Sequence, residues 1–186
     1  LVDDREFLDY DDFKKNCRLK TKKDFNFAYD VIDKYVFDFP GKRALVWIND
    51  EGEEKTFTFD DISRESQKAA NWLVSKGIKK GDTVMLILRR RYEWWILMPA
   101  LHRIGAIVIP ATDQLLQSDI EYRTNAADVK MIISYDNSDI QTEIEKAMPK
   151  SKTVKFLVTV GKELRDGWES FHDEYEKMSD NFPRPQ

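Results

Sequence analysis

The sequence predicts an α/β fold. A parallel sheet flanked by helices is expected over residues 83–160, preceded by a β-hairpin and a helix. Three observations carry that expectation. Residues 83–160 alternate strand-like and helix-like segments in the order β-α-β-α-β-α-β, which yields a parallel sheet with right-handed helical crossovers. Thr83–Leu88 is a near-continuous apolar run, as in a strand covered on both faces. The stretch LHRIGAIVIPAT (101–112) sets a helix end, a glycine, an apolar strand and a proline stop side by side, the short connection such a sheet needs.

Each element can be justified in order. Residues 1–24 are charged and weakly periodic, and Asp11, Asp12, Lys14, Lys15, Lys20, Lys22 and Lys23 read as an exposed N-terminal arm. From Phe25 the apolar residues Phe25, Ala28, Val31, Ile32 and Tyr35 follow helical spacing, and Pro40-Gly41 closes that helix. Ala44–Ile48 and Glu54–Phe59 flank the polar turn Asn49-Asp-Glu-Gly52 and predict a hairpin. Thr58 caps the next helix, with Asp61 as the reciprocal acid of a capping box. Ile62, Ser66, Ala69, Ala70 and Leu73 share one face of it, and Gly77 supplies a left-handed stop.

Tyr92–Ile104 predicts a helix kinked at Pro99, and Ala106–Ile109 a strand. Ser118 with Glu121, and Ser138 with Gln141, read as two more capping boxes opening helices. Lys130–Ser134 and Val154–Val160 predict strands, and Trp168–Met178 a short amphipathic helix. The end, SDNFPRPQ (179–186), reads as a truncated linker.

Composition excludes several classes. The 186 residues are 41% hydrophobic and 34% charged, enough apolar material for one packed domain. Thirty basic and 34 acidic residues leave a net charge of −4, mixed along the chain, so no basic stripe points to nucleic acid. Cys17 is the only cysteine, which rules out an internal disulfide and favours a reducing, cytoplasmic setting. His102 and His172 are the only histidines, and no H-E-x-x-H spacing or other metal set is expected. The apolar stretch Trp94–Ala111 is broken by His102 and Arg103, short of the ~18 apolar residues of a membrane span. The chain begins on leucine and has no signal-peptide core, which reads as an internal or processed edge.

Chemistry is sparse. Gly41-Lys42 and Gly161-Lys162 lack the preceding glycine of a phosphate loop, and no G-x-G-x-x-G or G-x-S-x-G occurs. Arg89-Arg90-Arg91 follows the strand ending at Leu88. Ligands of open parallel sheets bind beyond the carboxyl ends of the strands, so these guanidinium groups could meet phosphate or carboxylate. The plainer reading is a solvated strand end with an ion pair to Glu93. Thr112, Asp113 and Gln114 follow Pro110 at the same sheet edge, either as a loop or as small polar groups a ligand approaches. Residue physics leaves two classes open: part of a nucleotide- or CoA-using enzyme, or a standalone flavodoxin-like binding or regulatory domain.

A resemblance sharpens this. TFTFDDI (56–62) resembles the threonine-aromatic strand-to-helix motif of the adenylate-forming enzymes, LHRIGAIVIPAT their second core motif, and GIKKGDTVMLIL (77–88) the stretch between. FNFAYDVID (25–33), ALVWINDEGEEKTFTF (44–59) and RRRYEWWILMPALHRIGAIVIPATDQLLQSDIEYR (89–123) are similar to the medium-chain acyl-CoA synthetases, as are FLVTV (156–160) and DGW (166–168). The resemblance spans roughly residues 25–170 and rests on shared order and spacing.

It implies an acid–thiol ligase that joins a carboxylic acid to CoA through an acyl-adenylate, with ATP, Mg²⁺ and CoA serving the complete enzyme. The family's Gly/Thr-rich phosphate loop ending in Pro-Lys would follow position 186. Residues 25–178 would then be an incomplete N-terminal subdomain, without catalytic or metal-binding residues, inactive alone and binding no cofactor tightly. The remainder of the parent chain would pack on it. Arg90, Thr112 and Gln114 are the residues that would line an approach for acyl chain or CoA.

Overall fold

In a computed structural model of the chain, residues 6–18 and 22–185 are described; Lys20 and Gln186 lie outside them. Strands β3 (Thr83–Ile87), β4 (Ile107–Pro110), β5 (Val129–Tyr135), β6 (Phe156–Val160) and the two-residue β7 (Glu169–Ser170) form one sheet. The sheet runs in the order β4-β3-β5-β6-β7, with every pair parallel. Alternation along the strands splits the core in two. Val84, Leu86, Leu88, Met131, Ile133, Val158 and Val160 meet α3 (Phe59–Ser75), α4 (Trp94–Ile104) and α7 (Phe171–Tyr175). Met85, Ile87 and Ile132 face α5 (Gln117–Ala126) and α6 (Ser138–Ala147) instead. A register shift between Thr83 and Val84 inserts one extra residue in β5. Val129 therefore joins the face of Ile132, although spacing alone pairs it with Met131.

Local signals set most boundaries. The Thr58 hydroxyl accepts from the Asp61 N–H at 3.1 Å, and Asp61 accepts from the Thr58 N–H at 2.9 Å, closing the expected box. Gly105 at φ +77 ends α4 and lets Ala106 N–H reach the Leu101 carbonyl at 3.0 Å. The hairpin pairs β1 (Arg43–Ile48) with β2 (Glu54–Thr58).

Elsewhere the elements differ from those expected. A helix α1 (Tyr10–Asn16), capped by Asp9, lies in the N-terminal arm. The entry helix is π-helical over Ala28–Asp33 and α-helical as α2 (Lys34–Asp38). α4 starts at Trp94 and runs continuously through Pro99. α5 begins at Gln117, where Asp119 accepts the Leu116 N–H at 3.1 Å, and Glu121 is taken by Gln117 Nε2 at 2.7 Å. α6 is capped by Asn137, not Ser138, because Asn137 Oδ1 accepts both Asp139 and Ile140 N–H at 3.2 Å. Gln141 is buried and donates to Thr159 on β6 at 3.1 Å, so it cannot close a box. The expected helix from Trp168 is shorter, because Trp168 is buried and Glu169–Ser170 pair with β6 before α7 starts.

Residues 179–185 lie along α3 and the π-helical turn. Asn71 Nδ2 donates to the Ser179 and Asn181 carbonyls at 2.7 and 3.1 Å, and Gln67 Oε1 accepts the Phe182 N–H at 3.1 Å. Arg184 pairs with both oxygens of Asp30 at 3.1 Å. That guanidinium, with the Asn26 N–H, pulls the Asp30 carboxyl down to about 2. The folded value lies below the unfolded one, so the stabilisation is full above pH ~4 and lost as pH falls toward ~2. Arg184→Ala should therefore be less stable than the unsubstituted chain at neutral pH, with the gap closing on acidification. A pH-independent gap in urea titrations would refute this role. Among the described residues no helix is long and apolar enough to cross a membrane.

Candidate functional site

The carboxyl ends of β3, β4 and β5 gather the polar residues singled out by sequence. β4 lies beside β3 on the side away from β5, so the crossover leaving β3 and the one leaving β5 run in opposite directions, with a switch point between these two strands. Such a switch point is where ligands of open α/β sheets bind. Leu88 is buried, and Arg89 then turns the chain with φ +45, a left-handed conformation unusual for a residue other than glycine. The turn is closed by Arg91 N–H on the Leu88 carbonyl at 3.0 Å.

The three arginines differ in their partners. Arg89 Nε lies 3.3 Å from Asp113 Oδ2, the same oxygen that accepts from Tyr135 Oη at 2.7 Å. Burial and the bond to Asp113 hold the Tyr135 hydroxyl above its ordinary range, so it stays a donor. Arg91 lies 3.4 Å from Glu93 and 3.7 Å from Asp136. The ion pair to Glu93 read from sequence therefore belongs to Arg91. Arg90 is exposed, and among the described residues its guanidinium has no ion-pair or hydrogen-bond partner.

Arg90 and Thr112 line one cleft of about 480 Å³ with Arg89, Arg91, Trp94, Trp95, Pro110 and Ala111. Gln114 lines a second cleft of about 550 Å³ with Asp113, Leu115, Ser138, Thr142 and Lys146. The Thr112 hydroxyl is engaged locally, accepting the Gln114 N–H at 3.3 Å. A smaller cleft beside the hairpin carries Asp61, Arg64 and Glu65, where Arg64 is already paired with both acids at 2.8 and 3.4 Å.

Sequence reasoning named Glu93 as a partner of the arginine turn but foresaw neither its burial nor its contact with His172. Glu93 is fully buried at the start of α4 and is 2.9 Å from His172 Nε2 on α7. Burial alone would raise its carboxyl, but the His172 contact and the Arg91 charge outweigh that and keep it below the ordinary range. The two residues are 79 positions apart, and no local pattern joins them. Among the described residues no three His, Cys, Asp or Glu side chains gather where a metal ion could sit. The site's chemical capacity is recognition: Arg90, whose guanidinium has no partner among the described residues, lines a cleft at the sheet edge together with Trp94 and Trp95.

Comparison with known proteins gives three findings. A family model described as AMP-binding enzyme matches residues 32–185. The chain is 33% identical over 181 residues to the acyl-coenzyme A synthetase ACSM4, mitochondrial, of Rattus norvegicus, covering 93% of this chain and 31% of that protein. It is 32% identical over 183 residues to the human acyl-coenzyme A synthetase ACSM3, mitochondrial, covering 95% and 31%. The chain thus spans about a third of the length of these curated relatives. The crystal structure of the anthranilate CoA ligase AuaEII in complex with anthranoyl-AMP superposes with a TM-score of 0.76 at 22% identity. That match covers 87% of this chain and 30% of the ligase, a likeness of fold.

Proposed function

The chain belongs to the AMP-binding enzyme family, and on that premise we propose that it is the N-terminal part of an AMP-forming acyl-CoA synthetase. In the complete enzyme a carboxylate oxygen attacks the α-phosphorus of ATP and expels pyrophosphate. The CoA thiolate then attacks the acyl carbon and expels AMP. The anhydride matters because a free carboxylate repels a nucleophile and offers it no leaving group. ATP, Mg²⁺ and CoA serve that enzyme, and the residues of this chain supply scaffold and approach.

The observation that carries the reading is the family match over residues 32–185. Two structural features support it. Ile107 is 54% exposed on the edge strand β4, a row of unpaired backbone that the rest of a parent chain would cover. Arg90 is the one arginine of its turn left without an acidic partner, which suits an anionic ligand such as the phosphates of CoA. The strand order is also that of flavodoxin-like domains, but a self-contained domain would not account for the family match. The single thiol supports a cytoplasmic setting; the mitochondrial designation belongs to the relatives.

Two measurements test this. The 186-residue chain alone should show no ATP–pyrophosphate exchange, and robust exchange would overturn the proposal. In the complete enzyme, Arg90→Ala should raise the KM for CoA by roughly 10- to 100-fold, the loss of a charge-assisted hydrogen bond. Thr112→Ala and Gln114→Ala should have smaller effects, because the Thr112 hydroxyl is already engaged and Gln114 lines the other cleft. Unchanged Michaelis constants in all three would remove the approach from the proposal.

A further inference from the structure

The hairpin grips the arginine turn. Trp47 Nε1–H donates to the backbone carbonyl of Arg90 at 2.7 Å, across 43 residues. The indole also meets the Tyr92 ring edge-on at 5.2 Å. Phe57 stacks on the same ring at 5.3 Å, and Lys55 Nζ sits 4.3 Å above it and 3.1 Å from its hydroxyl. Trp47 and Lys55 are directly paired across the hairpin, so one of its faces is built around Tyr92. Val46 and Ile48 point away, 43% and 61% exposed.

The turn therefore has two anchors. Glu93 and Asp136 hold Arg91 from the sheet side. Trp47 holds Arg90 by its backbone from the hairpin side and leaves its guanidinium free. Arg89 sits at φ +45, a conformation that persists only where its surroundings impose it. A lone two-stranded hairpin is marginal in water, and here its inward face is spent on this turn.

We infer that Trp47 is a positioning residue for Arg90: its indole N–H fixes the turn from which the Arg90 guanidinium faces the cleft. This rests on the reading of Arg90 as a contact for CoA, and the test separates the two. Trp47→Phe keeps a six-membered aromatic ring for Tyr92 and removes the donor with its pyrrole ring.

Hydrogen exchange on the 186-residue chain is the first measurement. In Trp47→Phe the Arg91 amide, which closes the turn, should exchange about fivefold faster, the loss of one neutral hydrogen bond. The amides of Val84 and Leu86 in β3 should not change. In the complete enzyme the same substitution should raise the KM for CoA about fivefold without changing kcat, and should add nothing to Arg90→Ala. Unchanged Arg91 exchange overturns the inference whatever the kinetics. A further rise in KM on the Arg90→Ala background also overturns it, because Trp47 would then act by another route. If Arg90→Ala leaves the KM for CoA unchanged, the CoA reading falls, and the Arg91 amide alone decides the positioning.

Discussion

Asp33→Ala is expected to destabilise the fold by about 3–5 kcal/mol, because it strands a buried cation. Arg103 on α4 has a side chain with no solvent exposure. Its guanidinium forks onto Asp33, with Nη1 2.9 Å from Oδ2 and Nη2 2.6 Å from Oδ1. Ser66 and Ser63 accept further bonds at 3.1 and 3.3 Å, and Tyr29 lies 4.9 Å away with its ring face to the guanidinium. Without Asp33 only neutral groups remain. Asp33 is 32% exposed, so the reverse change, Arg103→Met, should cost less: the carboxylate left behind can be hydrated. At ~2–4 °C per kcal/mol for a chain of this size, Asp33→Ala should lower the melting midpoint by roughly 6–20 °C. The double change Asp33→Leu with Arg103→Met should recover part of that loss, since apolar replacement of a buried pair is often neutral. A midpoint unmoved by Asp33→Ala would mean that this pair does not hold the entry helix to α4.

Trp72→Ala should cost about 3–5 kcal/mol by a different route, the cavity left by a large buried ring. Trp72 on α3 is fully buried and meets Phe171 edge-on at 5.1 Å. Phe171 in turn stacks on Tyr175 at 4.1 Å, so the indole supports all of α7. Its Nε1–H donates to Glu174 at 2.9 Å. That acid would not be left alone, because Lys76 lies 2.7 Å from it. Trp72→Phe should therefore lose less, about 2 kcal/mol, from one hydrogen bond and the smaller cavity left by the pyrrole ring. Urea titration distinguishes the two: equal losses for Trp72→Ala and Trp72→Phe would show that the cavity is not the main term. Exchange of the α7 amides should quicken in Trp72→Ala before the β3 amides respond.

Much of this architecture was legible because its causes are local. The Thr58–Asp61 box, the Gly105 stop, the doubly covered run at Thr83–Leu88 and the hairpin turn each depend on residues within a few positions of one another. The resemblance of ordered motifs to the adenylate-forming enzymes was legible for the same reason. Two misplaced boundaries have a tertiary cause. Ser138 and Gln141 make a sound box on paper, but Gln141 was needed against β6. Trp168 carries helical spacing, but burial beside β6 made a strand of the next two residues.

The candidate site was half legible. An arginine triplet after an apolar strand can be found by eye, but which arginine is free cannot. That depends on Asp113 reaching Arg89 from β4, and on Glu93 and Asp136 reaching Arg91 from α4 and β5. By itself the sequence determined the class of fold, the starts and stops of most elements and the family, since backbone periodicity and capping act over a few residues. Tertiary structure alone decided the strand order, the pairing of Asp33 with Arg103 across 70 residues and the grip of Trp47 on Arg90. Charge and hydrogen-bond partners are chosen by distance in space, and distance in space exists only once the faces of the sheet have been packed.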